Sequence, residues 1–483
     1  MYIIRLFLQG LQRNLRHFVI KMTRKCYFFG VLVTLVRSFI YKYVYVLVSL
    51  AIGFNVNSIY ASMTELTYEK FFRLNNPINK SESGDWLGFN FETRPVETKL
   101  DYFINGDLRF YFQDDNNLNY SIQEAYLSYL YDDYRIYFGR RILDWNTNEK
   151  YWSLGYLNAL QSFTLLSTEE EGVTGLFLSK EVGRFEFELM GSYFYIPQIN
   201  PSYDIKNGEI KSKSEWMRLP PKKTVVSGKE VDIHYDIADY KIHRILLNKS
   251  LGFNIRYKWN NGGVAAFAIY KPENALRVNA NAFYDNLGTQ KVMVTADPTV
   301  NHHAYYGIQL YQAFGDIKAR GGFSYVDPNA KLGKDFLIDI SNARKTFKSE
   351  YFNINPSYVK EAYAHMSLIY DKQKKYKLSL NYIHLITDNV RSSDDFFSDT
   401  IKWKSTVGSG INYYFNDSFE VAFDLKYDLE RKDNIVKGEI RYNYLKQVNL
   451  SLGLEVLKAP DANSYWSYYR TSDTLYTSVG FVF

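Results

Sequence analysis

Cysteine is almost missing. The 483 residues hold one, Cys26, so everything that follows it lacks disulfides, thiolate metal sites and a cysteine nucleophile. Acidic residues are missing from one place: residues 1–61 contain Arg5, Arg13, Arg16, Lys21, Arg24, Lys25, Arg37 and Lys42 but no Asp or Glu. Without those eight, 50 basic residues face 52 acidic ones, a net charge of −2, so the formal +6 of the whole chain describes its beginning and not a nucleic-acid surface. Proline is scarce, at 11 residues. Apolar runs long enough for a membrane helix are absent after residue 61, in keeping with a mean hydropathy of −0.31. Glycine-rich phosphate loops, HExxH and CxxC are absent too. What is abundant is aromatic: 44 Tyr, 34 Phe and 7 Trp, too many for a disordered chain.

The basic start reads as a leader. Lys42 precedes an apolar run over 44–54 that is too short to span a bilayer, and a small residue, Ala61, follows at a plausible cut. A second apolar stretch, 27–40, carries Arg37 inside it, and translation could begin at Met1 or Met22. The expected organisation is a signal peptide over 1–61 and a single domain over 62–483; one or two helical anchors are the alternative.

Within 62–483 the signal has period two. From Phe419, the positions Phe419, Val421, Phe423, Leu425 and Tyr427 alternate with Glu420, Ala422, Asp424, Lys426 and Asp428, and similar alternation runs from Leu251 and from Val448. The second register carries charge, as the lining of a wet lumen does. Connections sort by length. Short ones fall at 131–134, 180–184, 259–263, 285–288, 314–316, 371–375, 415–418 and 445–448, and long ones at 144–172, 197–249, 327–360, 387–402 and 459–474. Counted back from the end, the short ones fall on one side and the long ones on the opposite side, the arrangement of an antiparallel barrel with short turns at one rim and long loops at the other. The fold class is therefore all-β: a transmembrane up-and-down β-barrel. Counting back from the end gives 19 strands beginning at Trp86, an odd number. Either 291–296 is loop or 65–74 adds a first strand, so about 18 strands are expected, with 16 to 20 open. Fewer than 30 residues separate the cut from Trp86, too few for the large plug of an energised receptor.

The last stretch, Leu475-Tyr-Thr-Ser-Val-Gly-Phe-Val-Phe483, resembles the C-terminal strand of bacterial outer-membrane β-barrels. That resemblance implies outer-membrane localisation in a Gram-negative cell and a final strand read by the barrel-assembly machinery at Phe481 and Phe483. It also implies contacts with outer-membrane lipid and lipopolysaccharide, and it leaves homo-oligomers open. The stretch 124–141, a strand, a tight turn and a strand closing on Gly139-Arg140-Arg141, resembles the hairpin of general porins that precedes the loop folding into the pore. It implies a constriction loop at 144–172 that begins at Asp144, with Arg140 and Arg141 opposed across the opening to Glu169, Glu170 and Glu171. A carboxylate cluster there would favour cations; a solvated acidic loop tip is the plainer reading. The loop 197–249, with Pro220-Pro221, is similar to barrels of unassigned function from predatory Gram-negative bacteria, a likeness that implies no activity.

Lumen-register charges are mixed in sign: Arg109, Glu186, Glu188, Arg256, Lys258, Arg277, Lys437, Glu439, Arg441 and Glu455. No single-sign ladder marks one solute. His302 and His303 adjoin, and neighbours on an extended chain point apart, so they do not form a metal pair. No nucleophile is nominated, and neither metal nor other cofactor is expected. The expected function is passive diffusion of small hydrophilic solutes through a porin-like channel, without catalysis. The alternatives are a surface receptor or adhesion barrel acting through 197–249 and 327–360, and a barrel hydrolase.

Overall fold

Alternation of apolar and polar side chains places one face of each strand against lipid, and a bilayer core accepts only a sheet with no open edge. The computed structural model describes residues 62–75, 83–93, 99–112, 118–162, 168–198, 203–212, 222–238, 242–285, 288–328, 351–354, 360–372, 375–387, 401–444, 447–461, 464–469 and 473–482. The expected leader, 1–61, and Phe483 lie outside them.

Eighteen strands form one closed antiparallel sheet. In chain order they are β1 Ser62–Arg73, β2 Ser83–Thr93, β3 Leu100–Tyr111, β4 Leu118–Tyr131, β5 Tyr134–Arg141, β6 Val173–Val182, β7 Phe185–Ser192, β8 Ser250–Trp259 and β9 Gly262–Pro272. They continue as β10 His302–Phe314, β11 Ile317–Asp327, β12 Glu361–Lys372, β13 Tyr376–Leu385, β14 Ser405–Asn416, β15 Phe419–Asp428, β16 Asn434–Tyr444, β17 Val448–Lys458 and β18 Thr474–Val482. Each pairs with its neighbours in sequence. Closure is made by β1 on β18, with Glu65 opposite Val482 and Arg73 opposite Thr474.

The lipid face is apolar. Leu450, Leu452 and Leu454 point out on β17, while Ser451 and Glu455 point in; on β10, Tyr306, Ile308 and Leu310 point out, while Tyr305 and Gln309 point in and are buried. Aromatic rings gather at the rim of short turns. Phe185 lies 4.8 Å from Tyr257 and Phe415 5.2 Å from Phe419, as an interface girdle requires. The two-residue turns 183–184 and 315–316 need a left-handed first residue, supplied by Gly183 (φ 62°) and Gly315 (φ 59°).

Seven of the eight expected short turns close barrel hairpins; the eighth, 285–288, does not. It joins Arg277–Tyr284 to Val292–Thr299, which pair with each other outside the barrel within the long connection 273–301. Both strands belong to a separate five-stranded sheet with Lys223–Val226, Lys229–Ile237 and Tyr351–Ile354, packed on Tyr235, Ala282, Val292 and Val294. Alternation reports a half-buried strand but not the sheet that buries it. Two expected barrel strands thus leave the barrel and β1 joins it: 65–74 does add a first strand, whereas 291–296 is not loop but part of strand Val292–Thr299 in the outer sheet. The antiparallel pair β2 and β3, joined through 94–99, supplies the further barrel hairpin. Arg277, expected on the lumen wall, accordingly sits in this outer sheet, where it pairs with Glu273.

Candidate functional site in the lumen

The connection 142–172 leaves β5 and returns on β6, its neighbour, and between them it crosses the lumen. Its helix, α1 Thr147–Trp152, starts where the Asn146 side chain accepts from the Asn148 N–H (3.1 Å) and stops at Ser153, whose backbone is left-handed (φ 52°). Two tryptophans anchor it. Trp145 packs against Phe267 and Ile269 of β9 and Tyr305 of β10, where Gln309 donates to the Trp145 carbonyl (2.6 Å) and Asn146 to the Tyr305 hydroxyl (2.6 Å). Trp152 packs against Tyr363, Ile383, Trp403 and Trp466, half the ring of strands away from β5. The helix end meets cations and an indole there: Lys426 donates to the Tyr151 carbonyl (2.8 Å) and Trp403 to the Trp152 carbonyl (2.7 Å). Positive groups at a helix C-terminus satisfy carbonyls that have no partner within the helix.

The charged residues expected at a constriction do come to this segment, but at its base. Thr168–Glu171 pairs with Ala159–Ser162 as a short hairpin. Arg109 of β3 holds Glu169 (2.6 Å) and Arg140 of β5 holds Glu171 (2.8 Å), which also accepts from Ser121 (2.7 Å). Glu170 faces Lys150 at 3.8 Å and Asn158 at 3.3 Å. Arg141 pairs with Glu188, and Arg256 with Asp144 (2.6 Å) and Glu186 (3.4 Å); Lys258 also meets Glu186 (2.7 Å). The arginines and glutamates are therefore not opposed across an opening: they are clamped together on the β3–β8 wall. The reason is register. Arg109, Arg140, Glu188 and Arg256 all point inward on strands beside the segment's two ends, so the nearest carboxylates are those of the segment itself.

Glu149 of α1 is 1% exposed. One of its oxygens accepts from the Leu157 N–H, and the other, Oε2, has no partner. Burial pushes its carboxyl up to about 8, and it pushes Glu170 up as well. A raised carboxyl favours the docked segment most below its ordinary value near 4.5, and that contribution is lost as pH rises through about 8. Limited proteolysis of 142–172 is expected to accelerate as pH rises from about 4.5 to about 8 and to level off above that, and Glu149→Gln, which cannot ionise, is expected to abolish that dependence. Equal acceleration in both proteins would refute the buried acid.

On the far side of α1 the lumen stays open as a cavity of about 300 Å³. Its roof is Thr147, Asn148 and Tyr151, and its wall is built from β11 to β16. Small residues make the room: a Cβ on Gly408 would lie 2.3 Å from the Tyr151 hydroxyl, and one on Gly410 would lie 2.7 Å from Ser379 Oγ. Of the expected lumen residues, Lys437, Glu439 and Arg441 line this cavity. They are internally matched. Lys437 pairs with Glu455 (3.3 Å), and Arg441 with Glu439 (2.9 Å) and Glu420 (3.7 Å). Sequence reading did not single out Arg320 and Lys377, which line the same cavity; their inward register was visible, but not that β11 and β13 bring both to one cavity.

No family model matches the sequence, and no curated protein matches it. Solved structures of similar fold include OccK11 (OpdR) of Pseudomonas aeruginosa, at 9% identity and a TM-score of 0.43, covering 87% of this chain and 95% of that one. They also include mutants of the porin of Rhodopseudomonas blastica, one of them at 10% identity and a TM-score of 0.38, covering 88% of this chain and 99% of that one. Both are likenesses of overall fold.

Proposed function

We propose that this barrel is a porin-like channel of the outer membrane, through which small hydrophilic solutes diffuse passively. The observation that supports it is the inserted segment: it divides the lumen and is anchored on both walls, yet leaves a cavity with a charged and amide lining. A barrel serving only as a platform for outer loops has no need of a narrowed, polar interior. In this reading residues 1–61 direct export, lipid and lipopolysaccharide surround the apolar belt, and the assembly machinery reads the last strand at Phe481, which points outward. The ion-paired state of Glu169, Glu170 and Glu171 argues against a cation filter made from them.

The test is ion conductance in planar bilayers, with the purified protein first shown to migrate faster unboiled than boiled. Discrete steps that scale linearly with voltage and salt are the expected result. A folded, outer-membrane barrel that never conducts would overturn the channel.

A further inference from the structure

The cavity beneath α1 is lined by groups that give hydrogen bonds and have nothing to give them to. Arg320 of β11 and Lys377 of β13 have no carboxylate within ion-pair distance among the described residues, whereas each other charged group of the lining has a partner. Asp371, directly across the ladder from Lys377, pairs instead with Lys318 (3.7 Å). Two amides point the same way. Asn381 is 4% exposed and its Oδ1 accepts from Ser367 (2.7 Å), which leaves its Nδ2 without an acceptor; Asn148, 5% exposed, also has an unpartnered Nδ2. The ladder sets Arg320, Ser367 and Asn381 in one row across β11, β12 and β13, and Lys377 lies further along β13, opposite Asp371. A buried N–H without an acceptor is costly, and two beside two unmatched cations describe a space shaped for something that only accepts.

We infer that this cavity is a binding site for a small oxyanion, a carboxylate or a phosphate, held by Arg320 and Lys377 and completed by the amide groups of Asn148 and Asn381. As the solute class of the channel, the inference rests on the channel reading; as a site, it stands without conduction. Arg320 offers the planar fork that matches a carboxylate or phosphate edge, and Lys377, exposed to the lumen, supplies a point charge. A cavity of about 300 Å³ suits a small anion and not a polymer. Asp424 and Glu439, also in the lining, are held by Tyr151 (3.2 Å) and Arg441 (2.9 Å) respectively, so they do not cancel the two free cations.

The experiment is calorimetric titration of the folded barrel, in non-ionic detergent at low salt, with succinate and with inorganic phosphate. Saturable binding is expected for at least one of them, and the tighter of the two names the class. In the double variant Arg320→Gln/Lys377→Gln the affinity is expected to fall about tenfold or more, the loss of one or two charge-assisted bonds. Lys223→Gln, in the outer sheet, is expected to change nothing. Should the double variant fail to show the fast unboiled band, Lys377→Gln alone serves, because it removes no ion pair. Folded protein that binds neither anion, or a folded variant that binds as tightly as the parent, overturns the site. Binding without conductance in bilayers overturns the channel and leaves the site; conductance without binding does the reverse.

Discussion

Trp152→Ala is expected to raise single-channel conductance several-fold, because it frees the inserted segment from the far wall. The indole is completely buried among Tyr363, Ile383, Trp403 and Trp466, and its removal leaves a cavity that rigid strands cannot collapse to fill. The cost is about 3–5 kcal/mol, more than the carbonyl contacts from Lys426 and Trp403 can replace once the ring that positions them is gone. The β3–β8 clamps remain, so the segment stays tethered at its base while its helix swings out. Conductance and protease sensitivity of 142–172 should rise together; unchanged conductance with a cleaved segment would show that α1 does not limit the pore.

Arg109→Met is expected to cost about 3–5 kcal/mol of barrel stability, the largest loss for any single charge change on the near wall. Its guanidinium bridges Asp107 (2.9 Å) and Glu169 (2.6 Å) and lies over the Trp86 ring at 4.7 Å. Asp107 is 1% exposed, and its Oδ1 already lacks a partner, so loss of the arginine strands a buried carboxylate. The double variant Asp107→Leu/Arg109→Met should recover most of the loss, since a buried pair replaced by apolar groups is far less damaging than a broken one. Urea unfolding in detergent measures both. A loss within about 1 kcal/mol for the single variant would mean that water screens the pair as it would on a surface.

The barrel was legible because lipid is a uniform solvent: every strand facing it repeats the same alternation, and Phe419 to Tyr427 reads the same in sequence and in space. The turn over 285–288 misled because a small outer core imposes the same period. The inserted segment was legible as a long connection rich in Trp and Leu, but the walls it would touch were not, since the wall partners of Trp145 and Trp152 begin at Phe267 and end at Trp466, more than a hundred residues further on. The glutamates 169–171 were read as one side of an opening because nothing in the local sequence shows that the strands carrying Arg109 and Arg140 flank the base of the segment. Arg320 and Lys377 went unnoticed for the converse reason. Each was an ordinary inward cation, and only the absence of a nearby carboxylate, a property of the folded wall, makes them unusual.

The outer five-stranded sheet constrains the order of assembly. Its Lys229–Ile237 and Val292–Thr299 run parallel, so no hairpin can make that pair; it needs the loops after β7 and β9 delivered to the same side of the membrane. Arg277–Tyr284 then takes Tyr351–Ile354 from the loop after β11. The sheet can form only after three adjacent hairpins have crossed, and once formed it stitches β7 through β12 together from outside. The junction of β1 with β18 is the one seam of the barrel that no turn or loop sews, so an opening of the wall is expected there before anywhere between β7 and β12.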